Sequence, residues 1–180
     1  MITISRLSAL CAAAVIGTST AAGAAMSGSA TGQDTNFAVK AAQGGMAEVK
    51  LAAVAMQHSK NATVLAFARK MNADHTAANA KLATIVKSEG MMPPSDVGPM
   101  NKAVMAKLEG LSGAAFDSAY LKSQVTGHQQ MLALMQKEAS AGSDAKLVAF
   151  AKMNVPVVQQ HLTMAQNDAS MHGSGMSGKM

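Results

Sequence analysis

Apolar residues recur every three or four positions along four stretches of this chain, which is the period of an amphipathic helix. The first stripe is Phe37, Ala41, Gly44, Glu48, Leu51 and Ala55, and the second is Val64, Phe67, Met71, His75, Ala78, Leu82 and Ile85. The third is Leu121, Val125, His128, Leu132 and Met135, and the fourth is Leu147, Phe150, Asn154, Val157, His161 and Met164. Start and stop residues frame the same stretches. Asp34 or Thr35 caps a helix reaching about Ser59, and Asn61 caps one that ends near Ser88, before Gly90. Ser112 opens a helix to Ala141 that Gly142 stops, and Ser143 or Asp144 caps the last, which runs to about Ala169. Pro156 lies inside that last helix and removes one backbone bond, which predicts a local kink. No alternating strand pattern competes with these assignments.

The connections set the topology. Tight turns at Lys60 and Gly142 predict two helical hairpins. Between them, Met91-Met92-Pro93-Pro94-Ser95-Asp96-Val97-Gly98-Pro99 excludes regular structure, and a short helix from Met100 to Glu109 follows, ended by Gly110. A long helix here spans roughly 40 Å, and about ten extended residues plus a short helix cover a similar distance. The expected fold is therefore all-α: a ferritin-like four-helix bundle over 34–169 with a long crossover carrying a short helix. The two halves echo each other in Ala66-Phe67-Ala68-Arg69 and Ala149-Phe150-Ala151-Lys152.

The ends of the chain differ from the bundle. Arg6, the apolar run Leu7 to Ile16, and Ala22-Gly23-Ala24 read as an export signal over 1–24. That run falls short of the about 20 apolar residues a membrane span needs, so the mature chain is expected to have no transmembrane segment and to be periplasmic or secreted. Cleavage would remove Cys11, leaving stability to a packed core without disulfides. Residues 25–33 read as a flexible leader, and 170–180 as a flexible tail rich in Met, His and Gly.

Composition narrows the function. The net charge of +5 is spread over scattered lysines, and one Tyr with no Trp offers no stacking platform for nucleic acid. With 16 Met and 3% aromatics, Met and Ala are expected to fill the core. The sequence has no Gly-x-Ser-x-Gly elbow and no phosphate-cradling loop, which weighs against an enzyme and leaves a mononuclear metal oxidoreductase as the last-ranked reading.

The chemistry lies where the stripes are interrupted. Glu48, His75, His128 and His161 each stand near a helix midpoint with apolar residues above and below. A buried, unpaired carboxylate costs several kcal/mol, so Glu48 needs a partner or a proton. Neutral imidazoles with one carboxylate suit a single transition metal ion such as Zn, Fe or Cu, or a small ligand. Asp74 and Tyr120 are candidates to support such ligands from behind, and Asp117, about three turns from His128, is a weaker one. The competing reading is a hydrogen-bonded layer that fixes bundle register, in a non-catalytic envelope protein whose partners the sequence does not identify. A separate candidate is the tail, where Met171, His172, Met176 and Met180 space soft ligands suited to Cu(I), or thioethers that absorb oxidants.

Several of these residues carry a family resemblance. The run from Phe37 through Gly44-Gly45-Met46-Ala47-Glu48, the pair Asp74-His75, Phe116-Asp117 with Tyr120 and His128, and Pro156 followed by His161 are similar to one bacterial family. The chain resembles the exported ferritin-like proteins of domain-of-unknown-function family 4142 from about Asp34 to Ala169. The resemblance implies a four-helix bundle, mostly in exported bacterial proteins, and no established activity. Di-iron ferritin-like sites use two Glu-x-x-His motifs plus two further Glu. The residues three before the histidines here are Asn72, Val125 and Val158, so the pattern departs from a carboxylate-bridged di-iron centre.

Overall fold

The computed structural model describes residues 30–177. The expected signal segment and most of the leader lie outside that range. Five helices follow in order: α1 (Gly32–His58), α2 (Ala62–Ser88), α3 (Gly98–Glu109), α4 (Gly113–Ala141) and α5 (Ala145–Ser177). No strand occurs among the described residues.

Local chemistry accounts for most of the helix ends. Thr31 caps α1, and Asp34 reaches back to the Thr31 backbone N–H, forming a capping box. Asp34 is therefore the third helical residue and not the cap, and α1 begins at Gly32, three to four residues earlier than the sequence suggests. Asn61 caps α2 by accepting from the N–H groups of Thr63 and Val64. At the other end of α2, Gly90 takes φ of +68° while the Met91 N–H bonds back to the Val86 carbonyl, a turn that glycine allows at no steric cost. Asp144 Oδ1 accepts from the N–H groups of Lys146 and Leu147 and so starts α5. The tail expected to be flexible from Ser170 continues α5 through Ser177, because the helix carries on past the position where glycines suggest an end. Pro156 sits inside α5, where its missing N–H leaves the Lys152 carbonyl without its intrahelical donor.

The topology follows from which ends meet. Asp34 near the start of α1 accepts from Ser143 and Asp144 at the α4–α5 turn, and Lys146 at the start of α5 pairs with Glu89 at the end of α2. At the opposite end, His58 of α1 bonds the Leu111 carbonyl just before α4 and stacks on Phe116. Thus α2 ends at one end of the bundle and α4 starts at the other. Segment 89–112, with α3 inside it, climbs the bundle along α1 and α4. This is the ferritin-like crossover, and it leaves every pair of neighbouring long helices antiparallel.

The core is in two pieces. Phe67, Met71, Phe116 and Leu121 belong to a cluster at the crossover's far end, and Phe37, Leu82, Leu147 and Phe150 to one at the α4–α5 turn. Most of the stripes read from sequence are buried, with the inward residue shifted by one at Val86 for Ile85 on α2, Gln124 for Val125 on α4 and Val158 for Val157 on α5. On α5 Val158 is buried and Val157 is exposed, because the buried face steps by four from Asn154 and not by three. The polar midpoint residues occupy the gap between the clusters.

Candidate metal centre

Three of the four midpoint residues meet. His75 on α2, His128 on α4 and His161 on α5 are all buried, with ring centroids 5.4 to 5.6 Å apart. One ligand nitrogen from each lies within 4.8 Å of the other two. Nitrogens sharing a tetrahedral ion at about 2.1 Å stand roughly 3.4 Å apart, so the rings close on a common ion with an inward movement on the order of 1 Å.

The far sides of two rings are fixed. His161 donates its Nε2–H to Asp74 Oδ2 at 2.8 Å, and His128 donates its Nδ1–H to the Gln124 carbonyl at 2.9 Å. Each bond sets the tautomer and leaves a bare lone pair on the other nitrogen. Those nitrogens, His161 Nδ1 and His128 Nε2, are buried and without a protein partner, as is His75 Nε2. Two acceptors facing one space cannot bond each other. They call for a donor or a cation between them.

Burial disfavours the charged form of two of the rings. Burial, reinforced by His128 and His161, pulls His75 down to about 3. Burial also lowers His161, against the opposing pull of Asp74. Burial raises Asp74 but is outweighed by Lys70 and His161, which together hold its carboxyl below the usual range. Lys70 bonds the same Oδ2 atom at 2.8 Å.

Glu48 stands next to this trio. It is buried and lines one cleft together with His75 and His128. Burial raises its pKa, with His128 and the neighbouring Gln124 amide opposing. Its Oε2 has no protein partner, and neither does the Tyr120 hydroxyl, which burial and the Glu48 charge push well above the ordinary tyrosine range. The glycines of the seam make the approach possible. A Cβ on Gly127 would stand 3.3 Å from Glu48 Oε1, and one on Gly44 only 2.5 Å from the Met131 methyl.

The other expected residues fall elsewhere. Asp117 is buried near the start of α4, eleven residues from His128 and so about 16 Å away along the helix. Met171 is exposed, and His172 bonds the Ala114 carbonyl at the bundle end, remote from the histidines. Met180 lies outside the described residues. Sequence reasoning missed Gln124, which is fully buried, supports His128 and approaches Glu48. Its signal was present in the four-residue steps Tyr120, Gln124, His128, a second polar row on α4.

Comparisons with known proteins agree on the fold. Residues 19–167 match the family described as Domain of unknown function (DUF4142), and the chain belongs to that family. A similar solved structure is a crystal structure of a DUF305 fragment from Deinococcus radiodurans, 17% identical, with a TM-score of 0.71 over 79% of this chain and 98% of that one. At that identity the likeness concerns the fold alone. No curated protein matches the sequence.

Proposed function

We propose that this DUF4142 protein is an exported carrier or sensor of a single transition metal ion, held by His75, His128 and His161. The observation that carries this reading is the set of three buried imidazole nitrogens without partners, two of them with their tautomers fixed from behind. Imidazole-only first ligands favour zinc, copper or iron over calcium or magnesium. Asp74 and the Gln124 carbonyl would orient the rings and make His161 and His128 more basic, as outer partners do at metal sites. Glu48 supplies the nearby carboxylate, either as a further ligand or as the group that takes a proton from a bound water. A layer serving bundle register alone would pair its own polar atoms, since each unpaired buried group costs about 1–3 kcal/mol. Here one nitrogen on each ring, His75 Nε2, His128 Nε2 and His161 Nδ1, has no protein partner. Export is supported by Arg6, the Leu7–Ile16 run and Ala22-Gly23-Ala24.

The test is elemental analysis of the protein recovered from a periplasm supplied with iron, zinc, copper and manganese, beside a His75→Ala/His161→Ala variant. About one metal ion per chain is expected in the wild type, with background content in the variant and a lower melting temperature after chelation. Background metal in both proteins, or equal metal in both, would overturn the reading. Intact mass of the recovered chain reports on export, since cleavage at Ala24 removes Cys11.

A further inference from the structure

Among the described residues the histidine layer borders two spaces of very different size. Between α1, α4 and the start of α3 lies a cleft of about 580 Å³. Near Asp74 and His161 a second cavity holds only about 30 Å³, the room of a water molecule. The space for anything larger lies along the α1–α4 seam.

The walls of the cleft are graded. At its inner end stand His75, His128 and Glu48, each more than nine-tenths buried and each with a side-chain atom that has no protein partner. Along its length lie Val97, Met131 and Leu134, which offer apolar surface. At the outer end Lys40 and Lys137 are exposed, and neither is in an ion pair among the described residues. Lys40 is eight residues from Glu48, and Lys137 nine from His128, on antiparallel helices. Both lysines thus sit about 12–13 Å from the histidine level at the same end of the seam. The start of α3 adds its positive dipole end, set by the contact of Gly98 with Gln43, although Asp96 already takes the Gly98 N–H. The only acid on the wall is Glu48, and it is at the other end.

We propose that this cleft binds an elongated organic dianion with an apolar middle, one carboxylate between Lys40 and Lys137 and the other at the metal held by His75 and His128. The inference deepens the metal reading and rests on it for the inner end of the cleft. Val97, Met131 and Leu134 share the wall with the amides of Gln43, Asn101 and Gln130, so it is the spacing between the lysine pair and the metal that selects for length as well as charge. A short dianion reaches one end only, and a long monoanion leaves the lysine pair without a partner. The lysines also concentrate anions at the mouth, an effect that salt weakens.

The experiment uses protein with labelled methionine methyls, loaded with zinc, and a series of α,ω-dicarboxylates from succinate to dodecanedioate. The Met131 methyl is expected to shift saturably, with affinity greatest for a chain near azelate in length. Lys40→Glu/Lys137→Glu should weaken that best ligand by about tenfold or more, corresponding to roughly 1.4 kcal/mol. No saturable shift, an affinity independent of chain length, or an undiminished affinity in the variant would overturn the inference. Zinc content of the same wild-type samples separates the two failures. One zinc per chain with no ligand response sinks the dianion alone, whereas no zinc uptake removes the metal reading and the dianion with it.

Discussion

This bundle buries two polar clusters, and they are built on opposite principles. At the α4–α5 turn, Asp34 is completely buried and accepts from Thr31, Ser143 and Asp144, so both of its oxygens are engaged. Burial raises its pKa, but those bonds outweigh it and hold the carboxyl far below the usual range. At mid-height, Glu48, His75, His128 and His161 are buried too, and each keeps an atom with no partner. The first cluster uses its polar atoms to fasten α1 to the α4–α5 turn. The second fixes the backs of its rings and leaves the fronts free. Buried polarity in one molecule can thus serve cohesion where a carboxylate is fully engaged, as at Asp34, and recognition where several ring nitrogens converge unpaired; a lone unpaired atom such as Glu138 Oε1 beside Asp34 does not by itself mark a site.

The largest effect expected on this contrast is at Asp34. Asp34→Ala removes the capping box and strands the N–H groups it held, so it should cost about 2–4 kcal/mol of stability. Asp34 has a depressed pKa, so its stabilisation is present above the ordinary carboxylate range and is lost as pH falls below it. The gap between wild type and variant should therefore narrow in acid. Urea midpoints of the metal-free proteins measure both, and a loss below about 1 kcal/mol would break the assignment of this cluster to cohesion.

Asp74 probes the other cluster and should behave in the reverse way. Asp74→Asn keeps the shape but removes the charge behind His161, and should weaken zinc binding by about 10–100-fold. Fold stability should change by less than about 1 kcal/mol, since Asp74 is one-third exposed and its Lys70 pair lies at the surface. Competition against a chelating dye gives the affinity. Unchanged affinity would mean that the Asp74–His161 bond serves packing.

The smallest effect sharpens the comparison within the first cluster. Glu138 is buried beside Asp34, and burial together with the Asp34 charge raises it to about 7. An acid with a raised pKa weakens the fold as pH climbs from the ordinary carboxylate range through that value. Glu138→Gln should then stabilise the protein by about 1–2 kcal/mol near pH 8 and by little near pH 4. A variant no more stable than wild type in mild alkali would show that Glu138 ionises there without penalty.

Local signals carried the fold into the sequence, and distance limited what they could say of the site. Asn61, Gly90 and Gly142 mark helix ends by chemistry confined to a few residues, and the length of 89–112 against that of a helix dictates a crossover. The midpoint positions of His75, His128 and His161 were legible for the same reason, as interruptions in a periodic stripe. Asp74 was legible as a supporting residue, but which ring it serves was not. Asp74 bonds His161 across 87 positions, and Asp34 bonds Asp144 across 110. No spacing rule joins residues so far apart; only the rotation of each helix about its axis decides it. That rotation also separates Val157 from Val158, and it brings Gln124 inward where the sequence suggested Val125.

The glycines at the middle of the long helices have a mechanical consequence. Gly44 and Gly45 on α1 and Gly127 on α4 each give up roughly 1 kcal/mol of helix propensity relative to alanine. They do so at the height of the histidines, between two apolar clusters that stiffen the ends. The consequence is closeness: packed against Met131, Asn79 and Glu48, these glycines let the helices of the waist approach where a larger residue would hold them apart, at the level where three imidazoles meet.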